Sequence, residues 1–165
     1  MAYVTGSARP PGCVFCISPT PDPEDDQRRV VVFRGSHAFI ILNIYPYSPG
    51  HLLIAPYRHT AELESLTAGE SSELLLLAQR AVRALQTDDG PHGYNLGMNL
   101  GAVAGAGIAD HLHLHVVPRW RGDTNFMPVI GQTRVLPELL DTTATKLRRR
   151  LAAVDGPEAD AGDIS

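Results

Sequence analysis

Three histidines at alternate positions constrain the fold of this chain more than any other feature. They lie in the stretch 111–120, which reads His-Leu-His-Leu-His-Val-Val-Pro-Arg-Trp. A β-strand places His111, His113 and His115 on one face, roughly 6 to 7 Å apart, whereas a helix would scatter them. The pattern therefore predicts a strand that carries a functional site. The alternatives are an edge strand with solvated histidines and a zinc site made of histidines.

Length and composition indicate a single globular domain. The chain has 165 residues, of which 44% are hydrophobic, enough for one core and short for two. The formal charge of −4 provides no broad basic surface of the kind that a nucleic acid duplex requires. The sequence contains neither 18 consecutive apolar residues nor a signal-peptide pattern. We therefore expect a cytoplasmic protein with no duplex nucleic acid and no membrane as partner.

Hydrophobic periodicity predicts an antiparallel sheet with helices packed against it, which is the α+β class. In addition to the histidine strand, strands are expected at 29–33, 38–45, 51–56 and 94–99. A helix over 67–86 should begin with a capping box formed by Thr67 and Glu70. A short strand or loop is expected at 127–130 and a final helix at about 136–153. Irregular backbone is expected in the proline-rich acidic segment 18–26.

The only two cysteines, Cys13 and Cys16, have the spacing Cys-x-x-Cys. In a reducing compartment this spacing indicates metal or redox chemistry rather than a structural disulfide. A pair of buried free thiols is the alternative.

The histidine pattern resembles the His-φ-His-φ-His-φ-φ signature of the histidine triad (HIT) family of nucleotide-binding proteins, in which φ is apolar. The continuation over 116–126, Val-Val-Pro-Arg-Trp-x-Gly-Asp-x-Asn-Phe, resembles the branch of diadenosine tetraphosphate phosphorylases and hydrolases. The resemblance implies a HIT-like sheet of about five strands with two main helices and a homodimer with the helix 67–86 at its interface. We expect a flexible N-terminus at 1–12, a single HIT domain at 13–153 and a disordered acidic tail at 154–165.

The resemblance also implies a role for each histidine of the triad. In the family the middle histidine, here His113, attacks the α-phosphorus of a nucleotide to give a nucleotidyl-histidine intermediate. An imidazole suits this step because it is neutral near pH 7 and leaves readily from a phosphoramidate. His115 would bind a phosphate oxygen or the leaving-group oxygen. His111 is open between a catalytic role and a structural one.

Phosphate binding is predicted for the segment that precedes the triad. Asn99 matches a polar position that the family uses to donate to a phosphate oxygen. The small residues Gly105, Ala106 and Gly107 let backbone N–H groups approach an anion closely, although such a loop is also simply a turn.

Two further residues are candidates for nucleoside binding. The resemblance assigns Asn43 to the ribose hydroxyls, and the alternative is an Asn that forms a turn. Trp120, which lies between two arginines, suits stacking on a base, and the alternative is packing in the core.

Metal-containing relatives suggest a further set of residues. By this resemblance, Cys13, Cys16, His59 and His111 form a Cys2His2 site for zinc. Four protein ligands leave no open position for a catalytic water, so the zinc would be structural. The chemistry itself is expected to require no cofactor.

Two classes of function fit these residues. The first is an enzyme: a HIT-type phosphorylase or hydrolase that cleaves a dinucleoside polyphosphate such as diadenosine tetraphosphate, with inorganic phosphate favoured over water as acceptor. A nucleoside phosphoramidate hydrolase is the alternative within that class. The second class is a nucleotide-binding regulatory protein with little turnover. The intact triad favours an enzyme, because binding alone requires no central histidine directed at phosphorus.

Overall fold

The computed structural model describes residues 12–123 and 139–154 of the chain. These residues form one antiparallel sheet in the order β1-β2-β3-β5-β4. Its strands are β1 (Val31–Arg34), β2 (Ala38–Leu42), β3 (Leu52–Pro56), β4 (Gly93–Met98) and β5 (Leu114–Arg119). The helices are α1 (Pro23–Arg28), α2 (Ala68–Leu85) and α3 (Leu140–Ala153). The predicted α+β class with a five-stranded antiparallel sheet is confirmed.

Helix α2 begins and ends close to where the sequence predicts. The Thr67 side chain accepts the Glu70 backbone N–H, and the Glu70 carboxylate accepts the Thr67 N–H, which completes the predicted capping box. Glu70 also pairs with Arg58 at 2.8 Å. This ion pair ties the start of α2 to the segment that follows β3.

Helices α2 and α3 cover one face of the sheet. Helix α2 packs against β2, β3 and β5, and α3 packs against β1 and α2. Burial alternates along β5, with Leu114, Val116 and Pro118 buried and His115 and Arg119 partly accessible. The partly accessible side chains of β5 therefore point away from the helices, beside the edge strand β4.

The triad strand begins later than the sequence predicts. β5 starts at Leu114, so His111 and His113 precede it. Their segment is held by contacts other than sheet pairing: the Leu112 N–H donates to the Thr60 carbonyl at 2.6 Å. The expectation of one strand carrying all three histidines is wrong for this reason.

The strand predicted at 38–45 ends at Leu42. Asn43 begins a turn there, since its side-chain oxygen accepts the Tyr45 N–H at 2.9 Å. Its own N–H donates to the His51 carbonyl, which brings the end of β2 beside the start of β3.

Helix α1 lies in the segment predicted to be irregular. Asp22 caps it by accepting the N–H groups of Glu24 and Asp25, and Pro23 occupies the first turn. Val30 follows the helix with a φ of 53°, so β1 begins at Val31 instead of at residue 29. The proline-rich composition favoured irregular backbone in the prediction, although Asp22 followed by Pro23 is a local signal for the start of a helix.

Several predictions fall on residues that the structure does not describe. They are the flexible N-terminus up to residue 11, the short strand or loop at 127–130, the first residues of the last helix at 136–138, and the tail from residue 155. Within the described ranges, no helix is long and apolar enough to span a membrane.

Candidate active site and metal centre

His113 is held in one protonation state by its own chain. Its Nδ1 lies 2.9 Å from the carbonyl oxygen of His111. A carbonyl only accepts, so Nδ1 carries the proton and Nε2 keeps its lone pair. Burial lowers the pKa of His113 below its ordinary value, and the residue is 7% exposed. A neutral imidazole with an available Nε2 is the form that can attack phosphorus.

The contact with His51 determines which ring nitrogen of His115 carries the proton. The backbone N–H of Tyr47 donates to His51 Nδ1 at 3.1 Å, so His51 is protonated on Nε2. That Nε2 lies 3.0 Å from His115 Nδ1, which must accept. His115 therefore carries its proton on Nε2, and this buried atom has no hydrogen-bond partner among the described residues. It is a donor that lacks an acceptor.

The protonation of His115 is further restricted by its surroundings. Burial, followed by the neighbouring His113, lowers the pKa of His115 to about 4. The rings of His113 and His115 have centroids 4.9 Å apart. At neutral pH this pair places one ring with an available lone pair beside one ring with an available N–H, both uncharged.

His111 has a different environment from the other two. It is fully buried, and its Nε2 lies 2.9 Å from the Pro56 carbonyl, so Nε2 carries the proton and Nδ1 has the lone pair. That Nδ1 lies 3.4 Å from the Cys13 sulfur and 3.3 Å from His59 Nδ1. Burial lowers the pKa of His111, which favours the neutral ring that a metal ligand requires.

The four predicted metal ligands lie together. One donor atom from each of Cys13, Cys16, His59 and His111 falls within 4.8 Å of all the others. The Cys16 sulfur is 3.3 Å from His59 Nδ1 and 3.8 Å from His111 Nδ1. Ordinary Zn–S and Zn–N bonds in a tetrahedron require separations of about 3.3 to 3.8 Å between such donors. The residues fit a four-coordinate zinc ion.

The thiols add a condition to metal binding. Partial desolvation of the sulfur and the neighbouring Cys13 raise the pKa of Cys16, although the residue as a whole is exposed. A divalent cation bound here would displace the thiol protons, since the thiolate is the ligand form.

A cleft of about 670 Å³ opens on the β4 side of His115. Its lining includes Tyr47, Ser48, Asn99, His115, Arg119 and Asp123. Arg119 pairs with Asp123 at 2.6 Å and donates to the Asn95 side chain at 2.7 Å. The cleft thus places the Arg119–Asp123 ion pair and several polar groups beside His115.

The predicted phosphate-binding residues differ in whether they line this cleft. Asn99 lines it, as predicted. Gly105, Ala106 and Gly107 belong to an accessible loop and are not part of its lining as far as the described residues show. Gly105 has a φ of 91°, a conformation that favours glycine. Phosphate binding by this loop stays a prediction.

The two predicted nucleoside contacts are engaged locally. The Asn43 amide nitrogen is 3.2 Å from His51 Nδ1 in addition to its turn contact. Trp120 is half-buried and donates its backbone N–H to the Asp123 carboxylate at 3.0 Å. Neither side chain lines the cleft formed by the described residues. Their ligand contacts stay predictions.

Sequence reasoning missed three residues around the triad. His51, fully buried, sets the tautomer of His115, and Tyr47 stacks on His51 with ring centroids 5.0 Å apart. Phe15 contacts the rings of both His111 and His113. His51 directly precedes β3, which pairs with β5 so that Leu53 lies opposite His115; its contact with His115 therefore depends on the sheet pairing and has no local sequence signal.

Comparison with known proteins identifies the family. Residues 24–122, more than half of the chain, match the model of the HIT domain. The chain belongs to the HIT domain family. The AP-4-A phosphorylase of Mycobacterium tuberculosis is 49% identical to this HIT protein over 130 residues. The match covers 79% of this chain and 64% of the relative, so the chain spans less than two thirds of that relative's length.

Two other relatives of this HIT protein bear on its site. The adenosine 5'-monophosphoramidase of Schizosaccharomyces pombe is 29% identical over 107 residues, covering 65% of this chain and 74% of that protein. A zinc-bound histidine triad family protein from Mycobacterium smegmatis has a similar solved structure, with a TM-score of 0.63 at 29% identity. That match covers 76% of this chain and 85% of the other.

Proposed function

We propose that this HIT protein is a nucleotidyltransferase that cleaves diadenosine tetraphosphate or a related dinucleoside polyphosphate. The observation that carries the proposal is the complementary pair at the triad: His113 keeps a lone pair on Nε2, His115 carries an unpartnered N–H on Nε2, and the two ring centroids are 4.9 Å apart. A nucleophile and a donor in contact are what two-step phosphoryl chemistry requires. The 49% identical phosphorylase from M. tuberculosis supports the choice of substrate class.

The reaction begins with attack of His113 Nε2 on the α-phosphorus. A bond forms between Nε2 and phosphorus, the bond to the bridging oxygen breaks, and ATP leaves from diadenosine tetraphosphate. The N–H of His115 donates to a phosphate oxygen or to the leaving oxygen. His111 contributes through its carbonyl, which holds the proton on His113 Nδ1.

Inorganic phosphate is the proposed acceptor of the nucleotidyl group. Its oxygen attacks the phosphorus, the bond to His113 breaks, and ADP is released. Water in the same position would release AMP instead.

Substrate contacts are proposed for polar and aromatic groups near the triad. Asn99 and backbone N–H groups of Gly105, Ala106 and Gly107 would hold phosphate oxygens. Asn43 would bind the ribose, and Trp120 would contact a base or the polyphosphate. Arg119 in the cleft is paired with Asp123, and its guanidinium would bind the polyphosphate by exchanging that carboxylate for phosphate oxygens.

Structural zinc is proposed for Cys13, Cys16, His59 and His111, on the strength of the donor separations and the zinc-bound structural relative. We also propose a cytoplasmic homodimer. Helix α2, which the family resemblance places at the interface, exposes Leu75 and Leu76 to a second copy. Equilibrium sedimentation would test the dimer.

Product analysis tests the proposed function. Purified protein is incubated with diadenosine tetraphosphate, with and without phosphate, and the nucleotides are separated. ADP plus ATP formed only with phosphate supports phosphorolysis, and AMP plus ATP supports hydrolysis. The His113→Ala variant should lose turnover by several orders of magnitude while still binding nucleotide. If that variant retains more than a tenth of wild-type activity, the assignment of the nucleophile is wrong.

A specific alternative is hydrolysis of adenosine phosphoramidate, which the S. pombe relative favours. The same assay with this substrate separates the two activities. Tight nucleotide binding without turnover of either substrate would instead support a regulatory protein.

A further inference from the structure

Phe15 lies between the two cysteines of the metal centre and also packs on the triad. Its side chain is 3% exposed. Its ring centroid is 4.8 Å from that of His113, at an interplanar angle of 36°, and 5.5 Å from that of His111, at 62°. One aromatic ring therefore contacts a proposed metal ligand and the proposed nucleophile.

The segment that carries Phe15 is not a strand of the sheet. Its backbone-to-backbone hydrogen bonds within the described chain are short-range. They run from the Cys16 N–H to the Cys13 carbonyl and from the Ile17 N–H to the Phe15 carbonyl. A longer-range bond comes from Arg29, whose guanidinium donates to the Val14 carbonyl at 3.2 Å. Because the cysteines on both sides of Phe15 face His59 and His111, a metal bound there would fix both flanks of this residue.

The second constraint on His113 also comes from the metal centre. The Nδ1 proton of His113 is held by the carbonyl of His111, and the His111 ring is itself one of the four ligands. Both the ring face of His113 and its Nδ1 partner thus depend on groups that the metal would fix. The direction of the Nε2 lone pair follows from these two contacts.

We propose that Phe15 is a positioning residue that couples occupancy of the metal centre to the orientation and tautomer of His113. The kinetic part of this proposal rests on the proposed nucleotidyl transfer, whereas the structural part does not. With metal bound, the loop presses Phe15 against His113. With metal removed, the loop loosens and His113 gains rotational freedom and a second tautomer.

The test compares wild type, Phe15→Ala and the matched control Val14→Ala, which alters the neighbouring residue of the same loop. Each protein is measured with one equivalent of zinc and after dialysis against a chelator, which can reach the exposed Cys16. Metal content is determined by elemental analysis. Nitrogen-15 NMR of the imidazoles reports the tautomer of His113, and steady-state kinetics separate kcat from KM.

Zinc-loaded wild type and Val14→Ala should show a single Nδ1–H tautomer for His113, and removal of zinc should produce a mixture. Phe15→Ala should retain about one zinc per chain and yet show the mixture already. Zinc removal from that variant should change the His113 signals little further. Its kcat should fall about tenfold or more with a smaller change in KM, since misplacement of a reacting group affects the chemical step.

Three results would overturn the proposal: wild type that binds no zinc, His113 signals that are unchanged when zinc is removed, or native His113 signals in zinc-loaded Phe15→Ala. If Phe15→Ala does not fold, Phe15→Leu replaces it, since it keeps apolar bulk without the flat ring. Loss of the coupling and failure of the proposed function are distinguishable. A wild type that turns over no nucleotide contradicts the function, while its His113 spectra still decide the coupling.

Discussion

Replacement of His51 tests whether the tautomer of His115 matters for turnover. His51 accepts from the Tyr47 N–H through Nδ1 and donates to His115 through Nε2, at 3.1 and 3.0 Å. His51→Asn can keep an acceptor near the Nδ1 position but loses the donor. His51→Gln can keep a donor near the Nε2 position but loses the acceptor. The two variants separate the contact to His115 from the contact to the turn.

The expected magnitude follows from one buried hydrogen bond. Such a bond contributes about 1 to 2 kcal/mol, so the bond from His51 biases the two tautomers of His115 by about 5- to 30-fold. Without that bias the donor tautomer of His115 falls from nearly all of the protein to about half, so His51→Asn should lower kcat by about twofold. Each variant leaves one buried polar atom unpaired and should lose about 1 to 3 kcal/mol of unfolding free energy.

The assay is nucleotide release from diadenosine tetraphosphate in the presence of phosphate, together with urea unfolding of each variant. His51→Gln should keep most of the wild-type kcat despite a similar loss of stability. Equal loss of kcat in both variants, or an unchanged kcat in His51→Asn, would refute the reasoning. Nitrogen-15 NMR of His115 provides an independent reading of its tautomer.

Other contacts can be tested by single substitutions. Cys13→Ser should remove the one zinc per chain that we expect in wild type and lower the melting temperature, as elemental analysis and calorimetry would show. Glu70→Gln should cost about 1 to 2 kcal/mol at pH 7 by weakening the capping box and the Arg58 pair. Arg58 holds the pKa of Glu70 at about 2. This stabilisation should therefore be present above about pH 4.5 and be lost as the pH falls towards 2, measured by urea unfolding. Trp120→Ala should weaken dinucleotide binding by about 1 to 3 kcal/mol in calorimetry, and unchanged affinity in folded protein would remove Trp120 from the site.

Local signals explain why parts of the fold were predictable. The limits of α2 follow from Thr67, Glu70 and the spacing of its apolar residues, all within one segment. The start of β5 was not predictable in this way, because His111 and Leu112 are held by Pro56 and Thr60, more than fifty positions away. Periodicity of two describes how side chains alternate, but not where pairing begins.

The candidate site shows the same division between local and distant information. Resemblance to a family suggested the four metal ligands, and the structure brings their donor atoms together. His51 carries no local signal for its contact, because its partner His115 lies 64 positions later and meets it only through the pairing of β3 with β5. Phe15 meets His113 across an even longer separation. Such contacts depend on the sheet topology, which local patterns in a single sequence do not reveal.

The proton positions at the triad depend on the segments around β3 as much as on the histidines themselves. Pro56, at the end of β3, accepts from His111, whose lone pair then faces Cys13 and His59. His111 has no nitrogen left for a substrate in the cleft if zinc binds as proposed, because one is bonded to a carbonyl and the other faces the proposed metal centre. His51, which precedes β3, donates to Nδ1 of His115, so the proton of His115 lies on Nε2 and this nitrogen is a donor. Without these neighbours, the spacing of the three histidines would not determine which nitrogen of each ring carries the proton. The proposed division into metal ligand, nucleophile and donor therefore requires the residues that flank β3.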